Sequence, residues 1–171
     1  VANHSHDAIK WHRANHPDVL HYCQDLGEID WTGVDPVEWV HASPVCQGFT
    51  QNGQPARAGT GGNFSPDIDV MRAKTMRDRN TMWMVLSCAD TMRPETITVE
   101  NVCDIYRWNT FAAWRGVLES LGYTVRCHTL NPLDFGGAQD RPRAIVTARL
   151  GEAFDLAPGN GQRAATIGEC L

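Results

Sequence analysis

The stretch "TITVENVCDIYRWNTFAAWRGVLESLGYTVRCHTL", residues 96–130, decides the fold. Its opening is rich in β-branched residues and follows Pro94, which predicts a strand over "TITVENV". Asn109 is placed to cap a helix whose apolar residues Phe111, Trp114, Val117, Leu118 and Leu121 share one face, and Gly122 closes it. "YTVRCHTL" then reads as a second strand. Strand, helix, strand is the crossover unit of parallel sheets.

Working outward extends the pattern in both directions. "NPLDFGGAQDRP" is a loop and "RAIVTARL" a final strand. Upstream, Ile68 to Met92 carries a helical pattern in Met71, Met82, Val85, Leu86 and Ala89, interrupted near "RDRN". Residues 47–67 hold five glycines and two prolines with little periodicity, which predicts a long mobile loop. A strand over Trp39 to Val45 precedes it. Ser5 is placed to cap a helix reaching about Ala14, "NHPD" ends that helix, "HYCQDL" is a short strand, and "GEIDWTGVDP" is rich in turns. The expected fold is α/β, a mostly parallel sheet with helices on both faces, in one domain spanning residues 1–171.

Composition narrows the function classes. The chain of 171 residues, 42% hydrophobic and 20% charged, is long enough for a core and ordinary for a soluble protein. No apolar run approaches the roughly 18 residues of a membrane span, so no membrane partner is expected. The cysteines Cys23, Cys46, Cys88, Cys103, Cys127 and Cys170 form no CxxC pair. That argues against a metal site or a disulfide framework and suits a reducing, cytoplasmic setting. A net charge of −5 gives no whole-chain nucleic-acid signature, although a basic cleft is compatible with an acidic body.

Ligands in open α/β sheets bind beyond the carboxyl ends of strands. Cys46 follows one predicted strand, in "ASPVCQGFTQNG", Glu100 ends another, and Gln139, Arg141 and Arg143 lead into the last. Taken singly, each has an ordinary reading: a small buried cysteine, a solvated glutamate, a charged turn. Taken together, a thiol, a carboxyl and two guanidiniums occur in order at loop positions of one α/β domain.

These residues sit in "SPVCQGFT", "ENV" and "FGGAQDRPR", which together resemble three signature motifs of the DNA (cytosine-5) methyltransferases. The resemblance runs from residue 1 to "ATIGECL", a segment like the one that precedes the family's target-recognition region. It implies a Rossmann-like, S-adenosylmethionine-dependent methyltransferase fold with double-stranded DNA as partner. On it, Cys46 is the nucleophile that attacks carbon-6 of a flipped-out cytosine, activating carbon-5. Glu100 holds ring nitrogen 3 from an apolar pocket, and Arg143 anchors the oxygen at ring position 2. Arg141 contacts phosphate or the nucleophile loop, Gln139 braces the site, and Asn101 ties the end of its strand to the loop around Pro44. The loop that begins with Gln47 and Gly48 closes over the DNA, with Arg57 on a phosphate. The cofactor falls to Asn3 at the ribose, His4 on the adenine, Asp25 and Leu26 at the adenine amino group, Pro44 at the methionine end, and the Asn80–Met82 stretch.

The chain departs from the family's pattern in three ways. Val45 replaces the usual second proline before the cysteine, and Gly137-Ala138-Gln139 replaces Gly-Val-Pro-Gln. Asn3 replaces an acidic ribose ligand. The glycine-rich first motif is expected upstream of Val1, and the target-recognition region and final helix beyond Leu171. The chain is therefore expected to be the middle of such an enzyme, a fragment or half of a split one that needs a complementary segment and is inactive alone. A bacterial or phage setting fits, in restriction–modification or self-marking. The alternatives are the tRNA-cytosine branch, a non-catalytic DNA-binding relative, and a cysteine hydrolase using His41 or His128.

Overall fold

The computed structural model describes residues 1–47, 49, 68–152, 154–157, 159, 166 and 168, and the side chains of those from 75 onward within the helix that starts at Ile68. The chain divides into two compact units, Val1–Asp35 and Pro36–Leu171.

The first unit is built from turns around one helix. Ser5 caps α1 (His6–Asn15) by accepting from the Ala8 N–H at 3.3 Å, and Asp7 in the first turn with His12 and Arg13 in the last complement the helix dipole. On either side of α1 the chain forms one parallel bridge, Ala2 with Tyr22. The strand expected over "HYCQDL" is reduced to that contact. Asp25 and Asp30 then cap two short 3-10 turns, Leu26–Glu28 and Trp31–Gly33. Ile9 and Ile29 are the unit's buried apolar residues among those described.

The second unit carries the sheet. Its strands are β1 (Trp39–Ala42), β2 (Thr96–Asn101), β3 (Tyr123–Leu130) and β4 (Arg143–Leu150), in spatial order β1-β2-β4-β3. β1 pairs parallel with β2, whereas β4 is antiparallel to both β2 and β3. The expectation of a mostly parallel sheet is therefore corrected: β1, β2 and β3 share a direction, and a reversed β4 lies between the last two. The cause is in the connections. β2 reaches β3 through α3 (Phe111–Ser120), a crossover, but the link from β3 to β4 holds only the 3-10 turn Pro132–Phe135, so the chain doubles back.

Within this unit the described α-helices gather on one face of the sheet. Ile97, Val99, Tyr123, Val125, Ala144, Val146 and Ala148 line one face of the sheet. Against them pack Met82, Val85, Leu86 and Ala89 of α2 (Ile68–Met92) and Trp114 and Leu118 of α3, so these two helices serve the same face. On the other face Trp39, 62% exposed, and His41 hydrogen-bond to Thr98. α2 runs unbroken through "RDRN". α3 starts after Thr110, without a side-chain cap from Asn109, and Gly122 closes it at φ 87°, a conformation that favours glycine.

Candidate active site

β2 alternates faces, so its last two residues point to opposite sides. Asn101 turns inward, 2% exposed, while Glu100 faces the other way at the strand's carboxyl end. Arg143 opens β4, and the antiparallel register sets Asn101 opposite Ala144. The reversal of β4 is thus what delivers a guanidinium here; a parallel strand would begin at the far end of β2. Arg143 Nε meets Glu100 Oε1 at 2.9 Å, with the two side chains 23% and 32% exposed. Arg143 Nη1 also donates to the Pro142 carbonyl.

The segment leaving β1 is tied to the same strand end. Ser43 Oγ donates to Glu100 Oε2 at 2.6 Å, and Asn101 Nδ2 donates to the Pro44 carbonyl at 3.0 Å. The Asn101 amide is held in turn, because its Oδ1 accepts from the Val102 N–H. Beyond Pro44, Cys46 is exposed, and its carbonyl accepts from the Phe49 N–H to form a turn. Phe49 is buried edge-on against Trp108 with the Arg79 guanidinium over its ring. The chain on both sides of Cys46 is thereby anchored. Elsewhere in this unit, burial pushes the Cys88 thiol up to about 11.

The surroundings of Glu100 differ from expectation. Its carboxylate meets a hydroxyl and a guanidinium, where the family resemblance implied an apolar pocket. Gln139 and Arg141 are exposed on the loop before β4, and the Arg141 N–H donates to Asn131 Oδ1 at 3.2 Å. Gln47 is exposed beside Cys46. Gly48, Arg57 and the rest of the loop expected over residues 47–67, Gln47 and Phe49 excepted, lie outside the described residues.

The residues assigned to a cofactor divide between the units. In the first, Asn3 and His4 follow the bridge at Ala2 and Asp25 follows its partner Tyr22, all three exposed just past the carboxyl ends of two parallel segments. Asn3 Oδ1 accepts from the Ser5 N–H and Asp25 Oδ1 from the Gly27 N–H, which fixes both side chains beside the turn that Leu26 opens. In the second unit Pro44 is buried and Asn80 exposed. The Met82 side chain is in the core, 0% exposed, and its carbonyl accepts from Trp114 Nε1 at 2.7 Å.

Comparison with known proteins settles the family. The model of the C-5 cytosine-specific DNA methylase family matches residues 2–158. The chain belongs to the C-5 cytosine-specific DNA methylase family. It is 29% identical over 148 residues to the Type II methyltransferase M1.HphI of Haemophilus parahaemolyticus, an alignment covering 81% of this chain and 36% of that protein. The fold matches the methyltransferase EhMeth of Entamoeba histolytica, with a TM-score of 0.68 at 18% identity over 96% of this chain and 48% of that one. It also matches the S. pombe Dnmt2 methyltransferase, with a TM-score of 0.66 at 20% identity over 91% and 42%. The chain thus spans about a third of the curated relative and less than half of either solved structure.

Sequence reading gave no positioning role to three residues around the cysteine loop of this methylase-family chain: Ser43 and Phe49, inside the quoted motif, and Thr81, inside the stretch assigned to the cofactor. The hydroxyls carry no pattern of their own. A usable signal was Val45, which brings a backbone N–H to a place where the family's usual proline has none, and therefore calls for an acceptor.

Proposed function

We propose that this chain forms the catalytic part of a DNA cytosine-5 methyltransferase, acting on a flipped-out cytosine through a covalent bond to Cys46. One observation carries the reading: Glu100 and Arg143 pair at 2.9 Å at the end of β2, and the segment leading to Cys46 is tied to Glu100 and its neighbour Asn101. A carboxyl and a guanidinium side by side match the edge of cytosine, where ring nitrogen 3 adjoins the carbonyl oxygen at position 2. Glu100 holds a proton at nitrogen 3, Arg143 donates to the oxygen, and ring electrons are drawn away from carbon-6. The Cys46 thiolate adds there, and carbon-5 becomes enamine-like. S-adenosylmethionine supplies the electrophilic methyl group. Loss of the carbon-5 proton and expulsion of the Cys46 thiolate then restore the aromatic ring. The base leaves the helix because none of these groups reaches it inside a duplex.

The first unit's side chains fit that cofactor by their chemistry. An exposed amide at Asn3 and an exposed carboxylate at Asp25 stand at adjacent parallel ends, suited to ribose hydroxyls and to the adenine amino group, with His4 available to pack on the ring. Similarity to a Type II methyltransferase supports a restriction–modification or phage self-marking setting.

Trapping tests the mechanism. The intact protein, given S-adenosylmethionine and a duplex containing 5-fluorocytosine, should form a denaturation-resistant adduct on the peptide bearing Cys46, because fluorine blocks loss from carbon-5. Cys46→Ser should form none. Trapping on fluorinated RNA but not DNA would move the assignment to an RNA substrate, and no adduct on either would refute it.

A further inference from the structure

The peptide unit between Pro44 and Val45 is held at both of its polar ends. Its carbonyl accepts from Asn101 Nδ2 at 3.0 Å, from a residue 57 positions away on β2. Its N–H, that of Val45, donates to Thr81 Oγ1 at 3.0 Å, on α2 and 36 positions away. The Thr81 hydroxyl has little freedom to do otherwise. Its own proton is given to the Asp78 carbonyl at 2.7 Å, one turn back along the helix, so its lone pairs face the incoming N–H. The next residue in the chain is Cys46. We propose that Thr81 is a positioning residue for the Cys46 nucleophile, completing with Asn101 a two-sided clamp on the peptide plane that precedes the thiol.

The physical case rests on what a peptide plane allows. Held by its carbonyl alone, the plane swings about the line through that bond, and Cα of Val45 moves with it. A second bond at the N–H, from a separate element, removes that swing. α2 is itself fixed by core residues Met82, Val85, Leu86 and Ala89, and Trp114 Nε1 binds the carbonyl of Met82, the residue after Thr81. The clamp therefore refers the thiol to the core, through both the sheet and the helix layer. An attacking sulfur has to be placed to within fractions of an ångström, which is where a loose loop loses rate. Val45 makes the helix-side bond possible: a proline there would fix φ internally and present no N–H.

This inference rests on Cys46 as nucleophile, and the test separates the two. Adduct formation on 5-fluorocytosine DNA is followed in the intact protein with Thr81→Val, Thr81→Ser, Val45→Pro and the double variant Thr81→Val with Val45→Pro. Thr81→Val should slow adduct formation about 10-fold, the range for orphaning a half-buried amide and loosening the thiol. KM for DNA should hold, since no residue of the clamp is assigned a contact with DNA, and Thr81→Ser should restore the rate. With Val45→Pro the N–H is gone, so adding Thr81→Val should have no further effect. Hydrogen exchange at the Val45 amide provides a readout independent of chemistry: Thr81→Val should deprotect it, and Thr81→Ser should not. Unchanged protection in Thr81→Val overturns the clamp whatever the activity. Deprotection with an unchanged adduct rate overturns the positioning role, and no adduct in any form, wild type included, indicts the nucleophile assignment instead.

Discussion

The two compact units hold their functional candidates by opposite means. At the end of β2, Ser43 to Glu100 and Asn101 to Pro44 span 57 residues each, and Val45 to Thr81 spans 36. Those bonds exist only when the sheet and α2 are assembled. In Val1–Asp35 the polar candidates are fixed by their own turns: Asn3 Oδ1 to the Ser5 N–H and Asp25 Oδ1 to the Gly27 N–H each span two residues. The lesson concerns what each site tolerates. Groups that must meet a reacting atom are referred to a core, so their geometry is only as good as the packing behind them. Groups set by a turn keep their local shape while the unit around them loosens, which suits recognition of a ligand more than bond-making.

The largest expected effect probes the core behind the catalytic end. Trp114 is 0% exposed, stacks on Phe111 and donates to the Met82 carbonyl on α2. Trp114→Ala should destabilise the second unit by about 3–5 kcal/mol, through lost burial, the cavity and the orphaned carbonyl. Hydrogen exchange resolved by segment should show protection falling across β2, β4 and α2. A uniform loss that includes residues 1–35 at the same magnitude would erase the contrast between the units.

That dependence on packing also explains what the sequence disclosed. "YTVRCHTL" and "RAIVTARL" are strands over the residues read, because β-branched runs bounded by glycine, asparagine or proline leave little choice. The reversal of β4 was legible in principle, since "NPLDFGGAQDRP" contains no crossover helix, but alternation of strands and helices elsewhere argued for the parallel form. "RDRN" read as a break because its residues are polar, yet helix continuity there is enforced by Met82, Val85, Leu86 and Ala89, which follow at core spacing. The same spacing puts the Met82 side chain in the core. Cys46, Glu100 and Arg143 were singled out because together they fall in three motifs that resemble the family's, whereas each alone has an ordinary reading. Ser43 and Thr81 were not, because a hydroxyl gains meaning only from a partner that the fold supplies.

A smaller effect sharpens the comparison from the other side. Ser5 caps α1 with one bond to the Ala8 N–H, and Ser5→Ala should weaken the first unit by about 1 kcal/mol, with Ser5→Asp retaining the cap. Exchange should quicken in residues 5–15, while amides around Asn101 and Val146 keep their protection. If β2 and β4 lost protection equally, the first unit's stability would not be a local matter.

The smallest effect is a pH dependence confined to the first unit. His12 Nδ1 and His21 Nε2 lie 2.9 Å apart, an arrangement that needs at least one neutral ring. The pKa of His21 is lowered from its ordinary value of 6.5, first by desolvation, then by the charges of Arg13 and His12, against a weaker opposing bond to Val19. With the folded value below the unfolded one, the unfolded chain takes up the proton first as pH falls. The stability contribution is therefore whole above about 6.5 and is lost progressively as pH drops from there through the folded value. Protection of residues 1–35 should accordingly decline between pH 7.5 and 5.5 by more than that of the sheet. His21→Gln keeps a hydrogen-bonding side chain without the titration and should flatten the decline. An equal decline in wild type and variant would show that the pair of rings carries no proton linkage.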